Sequence, residues 1–196
     1  MQTTKMAVAV AAALTAVSAD AATHWDLDTS HTELGFKVRH LMVSYTRGRF
    51  AKFTGSLDLD EKDLSKSKVS VQIDAKSIDT NWKDRDDHLR SADFFDVEKF
   101  PQLTFESSKV EKAGAGLRIT GDLTLHGITK KVVLEAEALT PVAKDPWGNL
   151  HIGTRATARV NRKDFGLNWN KTLETGGVAV GDEVELSLEI EFVRKP

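Results

Sequence analysis

The sequence predicts an all-β protein, an eight-stranded antiparallel β-barrel with a short helical insertion. Apolar and polar residues alternate with a period of two along about eight segments, which is the pattern of half-buried strands. Turn-forming residues separate these segments, and one segment breaks the alternation. Eight such strands also fit a two-sheet sandwich. Consecutive hairpins and the lack of an obviously charged edge strand favour the barrel.

Each predicted strand has one apolar and one polar face, which is typical of antiparallel sheets with one side in water. The pattern is clearest at the end of the chain, where Val184, Leu186 and Leu188 alternate with Glu and Ser residues. In chain order, the segments that show it are residues 34–40, 51–59, 69–75, 103–105, 117–125, 132–138, 156–160 and 184–192. Short turns are predicted at residues 113–116, 126–127 and 145–149, which carry Gly or Pro in turn-forming places.

The segment between the third and fourth predicted strands is interpreted as a short helix followed by an aromatic loop. Trp82, Arg85 and Leu89 are spaced i, i+3 and i+7, which places them on one helical face. Phe94 and Phe95 follow before a proline ends the segment. This insertion is predicted to cap one end of the barrel.

The first 21 residues have the features of a secretory signal peptide. Lys5 precedes an apolar, alanine-rich run of about a dozen residues, and an Ala-x-Ala cleavage signal ends at Ala21. A membrane anchor is the alternative, but the run is well short of the roughly 20 residues that span a bilayer. Cleavage near Ala21 leaves residues 22–196 as the predicted single domain. The expected location is the periplasm, or the medium if the protein is fully secreted.

Composition narrows the classes of function. The net charge of −2 gives no general attraction to nucleic acid. The chain has no cysteine and no G-x-S-x-G motif, and its six histidines lack the spacing of a preformed metal site. We therefore expect no metal site, no cofactor and no enzymatic activity. An enzyme that uses His40 or His88 as general base is the alternative.

The apolar faces leave open whether the barrel is fully packed or holds a cavity, because they mix large residues with Gly and Ala. His40 falls on the apolar face of its strand. Arg85 and His88 form either a polar mouth for a ligand headgroup or an ordinary salt-bridged surface. Trp169 is either a core plug or a wall of the ligand site.

Several ordered stretches resemble the YceI-like polyisoprenoid-binding family. They are residues 25–32 (WDLDTSHT), 36–40 (FKVRH), 77–101 with RDDHLRS and DFFDVEKFP, 121–130 (GDLTLHGITK) and 162–167 (RKDFGL). The resemblance implies a lipocalin-like barrel with a long apolar cavity and residence in the periplasm. It implies an isoprenoid ligand, such as a prenyl diphosphate or a quinone with an isoprenoid tail.

The resulting prediction is a carrier or store for an isoprenoid lipid, with transient contact with membranes and no nucleic-acid partner. A scavenger of foreign apolar compounds, an enzyme acting on bound lipid and an adaptor are the alternatives, and a homodimer stays open. The candidate ligand-binding residues are Phe36, His40, Trp82, Arg85, His88, Leu89, Phe94, Phe95 and Trp169.

Overall fold

The computed structural model describes residues 22–174 and 176–195, so the predicted signal peptide lies outside the described residues. These residues form strands and one short α-helix, α1, at Lys83–Arg90. The strands are β1 Thr23–Leu27, β2 Glu33–His40, β3 Ser44–Phe50, β4 Phe53–Leu59, β5 Lys68–Asp74, β6 Ile78–Asp79, β7 Gln102–Ala113, β8 Gly116–Leu125, β9 Ile128–Ala136, β10 Ala143–Lys144, β11 Leu150–Asn161 and β12 Val180–Arg194. No helix within the described residues is long and apolar enough to cross a bilayer.

The strands build a closed antiparallel barrel of eight, as predicted, because four barrel strands are each interrupted once. Leu27 of β1 pairs with Phe192 of β12, and Leu34 of β2 pairs with Leu188 of the same strand. β1 and β2 therefore form one broken strand along β12. β3 with β4, β5 with β6, and β9 with β10 along β11 form three more. The ring closes because β12 pairs with β11 on its other edge.

Four segments of this barrel were absent from the sequence-based prediction: β1, β3 and the two-residue strands β6 and β10. One face of β3 is exposed, and the other is half-buried but carries Thr46 and Gly48 before the buried Phe50, so the sequence shows no alternation of apolar and polar residues. β1 has five residues, too few to establish a period. The strands that were predicted have the expected side chains inward, including Val71, Leu123 and Leu186.

The two ends of the barrel are built differently. At one end, here called the helix end, lie α1, the loop at residues 91–101 and the described residues 162–174 and 176–179. At the opposite end, the hairpin end, lie the β7–β8 turn and the connections at residues 60–67 and 137–149. The ladder between β9 and β11 is short: it joins Ala136 to Ala156 and Glu135 to Thr157.

The helical insertion is fixed to the barrel through buried polar contacts. The Asp86 carboxylate accepts hydrogen bonds from the backbone N–H of Thr80 (2.9 Å) and from its hydroxyl (2.5 Å). Arg90 donates to the carbonyl oxygen of Ile78 over 2.7 Å. These bonds satisfy a buried carboxylate and hold α1 against the end of β6.

Candidate ligand cavity

An apolar cavity of about 240 Å³ occupies the barrel interior. Every strand that alternates contributes to its wall, for example Val71 and Ile73 from β5 and Leu186 and Leu188 from β12. Since successive side chains of a strand point to opposite faces, every second residue faces the interior, and in these strands that residue is apolar. The structure thus decides between the two alternatives for the interior: the barrel holds an apolar space.

Glycine does not create this space in the way the sequence suggested. A Cβ at Gly121 would lie 2.4 Å from the ring of Phe105, and one at Gly48 would lie 2.4 Å from the ring of Phe36. The phenylalanine rings themselves lie over these glycines, which is the close approach that glycine permits in a strand. The room at these two glycines is therefore filled by the protein's own rings.

Four of the nine candidate residues line the cavity: Phe36, Leu89, Phe94 and Phe95. The last three belong to the helical insertion, so it closes the helix end as predicted. Phe95 packs edge-on against Phe50, with ring centroids 5.8 Å apart, and Phe94 is buried. Aromatic rings in this arrangement form a stable apolar wall.

The other five candidates lie outside the lining. His40 is exposed where β2 ends, so its predicted inward position is wrong. Trp82 precedes the helix, which begins at Lys83, and its side chain is 63% exposed. Arg85 donates to the hydroxyl and carbonyl of Thr80.

The remaining two candidates form an aromatic layer on the outer side of Phe94. His88 lies 2.8 Å from the Asp93 carboxylate, and its ring meets Trp169 edge-on at 4.9 Å. Trp169 also packs against Phe94, with centroids 5.1 Å apart. Trp169 therefore packs on the outer side of Phe94, which closes the helix end, and does not itself line the cavity. A headgroup role for Arg85 and His88 stays a prediction.

A buried cation, Arg162, was missed in the sequence because charged residues are mostly exposed. It lines the cavity and is 4% exposed. Its guanidinium donates to the carbonyl oxygens of Gly181 (2.9 Å), Trp169 (2.9 Å) and Leu167 (2.5 Å) and lies 3.4 Å from the Asp182 carboxylate. Burial lowers the pKa of Arg162, an effect that Asp182 opposes, but guanidinium remains charged in proteins. The N–H groups of Arg162 are already bonded to backbone carbonyl oxygens. Arg162 therefore joins the segment after β11 to the start of β12 at the helix end and does not offer free donors to a ligand.

The hairpin end has a second pocket, of about 530 Å³, next to the cavity. The two spaces share Leu59, Leu64, Leu117 and Leu139, which therefore form the partition between them. This pocket carries the charged side chains of Glu61 and Lys112, whereas the charged residue of the cavity lining is the buried Arg162, whose donors are already engaged. Its wall also includes Val142, which is 52% exposed. An apolar space thus adjoins a polar-rimmed opening at this end of the barrel.

A polar cluster lies outside the barrel where the ring closes; we call Asp28, His31, Asp145, His151 and Glu191 the outer cluster. His151 Nδ1 is 2.8 Å from Glu191 Oε1, and its Nε2 is 3.3 Å from Asp145 Oδ2. His31 Nδ1 is 3.0 Å from Asp28 Oδ2 and 3.8 Å from Glu191 Oε1. No sequence pattern predicted this cluster, because its members come from four separate places in the chain: the β1–β2 break, the turn before β11, β11 and β12.

Electrostatics in the outer cluster favour charged forms. Partial burial opposes ionisation of Asp28, but hydrogen bonds from Ser30 and His31 outweigh it and lower the pKa of Asp28 to about 2. Burial likewise disfavours the charged form of His151, yet hydrogen bonds with Glu191 and Asp145 raise its pKa above the usual value. Opposite charges at hydrogen-bond distance shift both kinds of group toward ionisation.

A YceI-like domain matches residues 25–192, nearly all of the described chain. The chain belongs to the YceI-like family. A protein YceI of Salmonella newport is 44% identical over 170 residues, covering 87% of this chain and 85% of that protein. A UPF0312 protein of Vibrio cholerae is 39% identical over 198 residues, covering 100% of both.

Solved structures agree with the fold of this YceI-like chain. The crystal structure of the Campylobacter jejuni YCEI protein aligns with a TM-score of 0.68 and 34% identity, over 87% of this chain and 97% of that one. A polyisoprenoid binding domain from Saccharophagus degradans, implicated in plant cell wall breakdown, aligns with a TM-score of 0.62. It is 15% identical and covers 87% of this chain and 98% of the other, so its likeness is one of fold. The family resemblance of the sequence motifs is confirmed.

The motifs of this YceI-like chain have structural roles at both ends of the cavity. Residues 85–91 form most of α1 and carry the cavity-lining Leu89. Residues 162–167 carry Arg162 and the buried Phe165 and Leu167, which cover the helix end. Residues 25–32 contain β1 and the strand break that carries Asp28 and His31.

Proposed function

We propose that this protein binds an isoprenoid lipid, with the tail in the barrel cavity, and carries or stores it in the periplasm. The apolar lining of the cavity carries this proposal: Ser67, Thr154 and Arg162 are the residues of the lining that have polar side chains. A branched hydrocarbon tail is complementary to such a wall, and each buried CH₂ contributes about 0.8 kcal/mol. The polyisoprenoid binding of the Saccharophagus degradans domain, which shares the fold, supports the same class of ligand.

We place the headgroup at the hairpin end. The helix end is filled by Phe94 and by the segment that Arg162 fixes, whereas the pocket beside Lys112 and Glu61 opens next to the cavity. A tail that passes the four shared leucines leaves a diphosphate or quinone head among polar groups. Lys112 then offers a positive charge to a diphosphate.

Contact with a membrane is assigned to the same end. Trp147, in the turn before β11, is 82% exposed, and Val142 in the pocket wall is 52% exposed. Tryptophan is favoured at the interface between water and lipid because its ring is amphipathic. Replacing both by Ser is expected to slow lipid transfer between vesicles while leaving equilibrium binding unchanged. Trp82→Ser, at the helix end and also exposed, is the matched control.

The first experiment measures affinity for prenyl diphosphates of increasing length, using untagged protein and native mass spectrometry. Each added isoprene unit should tighten binding by at least about tenfold until the cavity is full, because about 1.4 kcal/mol corresponds to tenfold. Ala156→Phe, which fills the cavity, should remove the gain for long tails. Thr157→Phe, on the exposed face one residue further, should not. Affinity that is independent of tail length would refute the proposal.

We propose that the protein acts by binding and not by catalysis. His40 and His88, the two histidines considered as general bases, lie outside the cavity lining. Catalysis requires a base within hydrogen-bond reach of the reacting group. Mature protein incubated with prenyl diphosphates should leave them chemically unchanged, and turnover that disappears in a His40→Gln, His88→Gln double variant would contradict this.

The same lining supports a second candidate function, the sequestration of foreign apolar compounds. Among the described residues no buried side-chain polar atom lacks a hydrogen-bond partner, so the wall directs no free donor or acceptor at a ligand. Such a wall selects for apolarity and size more than for structure. Competition between prenyl lipids and unrelated apolar compounds of equal surface area separates the two functions: equal affinities favour sequestration.

A further inference from the structure

We propose that the outer cluster binds a divalent transition-metal ion such as Zn²⁺, with Asp28, His31, His151 and Glu191 as ligands. Neither the cavity nor the family supplies a role for these residues. One ligand atom each from Asp28, His151 and Glu191 lies within 4.8 Å of the others. His31 Nδ1 lies between Asp28 and Glu191, at 3.0 and 3.8 Å from their carboxylate oxygens.

The spacing of these atoms suits a tetrahedral ion. Zinc bonds to nitrogen and oxygen of about 2.0 Å imply distances of about 3.3 Å between ligands. Three of the ligand pairs, which are His151–Glu191, His31–Asp28 and His31–Glu191, are 2.8, 3.0 and 3.8 Å apart and bracket that value, while the atoms of Asp28, His151 and Glu191 lie within 4.8 Å of one another. Small side-chain rotations therefore suffice to form the site. Two imidazoles with two carboxylates select a transition metal, because Ca²⁺ and Mg²⁺ prefer oxygen alone.

Further hydrogen bonds orient the ligands from behind. His151 directs Nδ1 at the cluster, while its Nε2 meets Asp145 Oδ2 at 3.3 Å. Asp145 is itself held by the backbone N–H groups of Trp147 and Asn149, each at 2.8 Å. A carboxylate behind a ligating imidazole fixes its tautomer and raises its basicity, which is the usual arrangement in zinc sites.

The Asp28 carboxylate is oriented in the same way. Its Oδ1 accepts hydrogen bonds from the Ser30 backbone N–H (2.9 Å) and hydroxyl (2.6 Å), which leaves Oδ2 directed toward His31. The floor of the site is sheltered, since the side chains of Asp28 and His151 are 16% and 21% exposed. His31, at 64% exposure, leaves an open side through which an ion enters.

An ion-pair network of protonated histidines is the competing account of the same geometry. Calorimetric titration with Zn²⁺ at pH 7.5 distinguishes the metal site from the ion-pair network. The protein for this titration carries no affinity tag and is first stripped of metal with a chelator. We expect one ion per chain and a higher Tm with the metal. Co²⁺ in the same site should give the intense visible absorption of a tetrahedral complex, a readout that an ion-pair network cannot produce.

Variants of the ligands and of a matched histidine complete the test. His151→Gln and Glu191→Gln should remove the saturable uptake, and Asp145→Asn, a change at a positioning residue, should weaken it by on the order of 10–100-fold. His24→Gln is the control: His24 also lies beside two carboxylates, but it meets Asp58 through Nδ1 and Asp26 through Nε2, so they cannot share an ion with one of its nitrogens.

Three results would overturn the proposal. These are wild-type protein that takes up no Zn²⁺, uptake that survives His151→Gln in a folded protein, and uptake lost equally in His24→Gln. Circular dichroism of each variant establishes folding. His31→Gln, at the exposed ligand, gives a second reading of the site if the change at His151 prevents folding.

Discussion

Replacing Arg162 by Met tests how the helix end is closed. Methionine keeps an unbranched apolar side chain beside the cavity but removes the donors to the carbonyl oxygens of Gly181, Leu167 and Trp169. Leu167 and Trp169 lie in the segment that follows β11 and Gly181 lies at the start of β12, and without Arg162 their carbonyl oxygens lose this partner in a site that is 4% exposed at the arginine. We therefore expect a large loss of stability.

The magnitude follows from the count of bonds. Hydrogen bonds to a charged group contribute about 1.5–3 kcal/mol each, so three contribute about 5–9 kcal/mol. Removing the charge recovers several kcal/mol of desolvation cost, and the net loss on breaking buried polar pairs is about 3–5 kcal/mol. For a domain of this size the Tm should fall by about 6–20 °C.

The assay is urea unfolding followed by tryptophan fluorescence, with Arg159→Met as control. Arg159 lies three residues away on the exposed face of β11, and its contacts to Glu183 and Glu185 are 3.7 and 3.9 Å. Such surface pairs contribute about 0–1 kcal/mol. If the two variants lose equal stability, the hydrogen bonds of Arg162 do not stabilise the helix end as argued above. If Arg162→Met weakens diphosphates but not neutral prenyl ligands, Arg162 binds the headgroup instead.

Three further predictions concern Gly121 in the barrel wall, Phe94 at the helix end and Asp28 in the outer cluster. Gly121→Val should cost about 1–3 kcal/mol, because its Cβ would lie 2.4 Å from the ring of Phe105. Phe94→Ala should cost about 3–5 kcal/mol and speed ligand release, since it removes a buried ring from the helix end. The pKa of Asp28 is lowered to about 2, so its stabilisation is complete above the usual value of 3.8 and is lost as the pH falls through 2. Discounted for solvent screening, it contributes about 1 kcal/mol.

Each of these has a direct check. Gly114→Asn, at a turn glycine with φ of 60° and open space around it, should leave the urea midpoint nearly unchanged, in contrast to Gly121→Val. For Phe94→Ala, the dissociation rate of a bound prenyl lipid is compared with the rate from Trp82→Ala, the control. Equal rates would show that the Phe94 ring does not retain the ligand. Asp28→Asn should destabilise the protein at pH 6 but not at pH 2, and a difference that persists at pH 2 would contradict the assignment.

Alternation along single strands predicted the fold well because it reports which side chains face inward. Val184, Leu186 and Leu188 line the interior as their spacing required. The same signal failed for residues 44–50, because the half-buried face of that strand carries Thr46 and Gly48 instead of large apolar residues. It also could not show whether a cavity remains, since that depends on how far apart the closed ring holds opposing strands.

The site was predicted in part, and the failures share a cause. Leu89 and Phe94 were identified because a short helix and an aromatic loop stand out against strand alternation. His40 was assigned inward by its phase, but it is the last residue of β2, where the pairing with β12 shifts register between Val180 and Val184. Arg162 and the outer cluster depend on residues brought together from distant segments, about which local patterns carry no information.

The short ladder between β9 and β11 has a consequence for ligands of different girth. Elsewhere around the ring, widening the interior breaks backbone hydrogen bonds along a whole strand, whereas at this junction the ladder of β9 with β11 covers only Glu135 and Ala136, and residues 128–134 of β9 pair with β8 alone. Here the wall is completed by the side chains of Phe165 and Leu167, which pack from the segment that follows β11. The circumference of the barrel can therefore change at the junction of β9 and β11. Amide hydrogens along residues 128–134 of β9 should exchange with solvent sooner than those of β8.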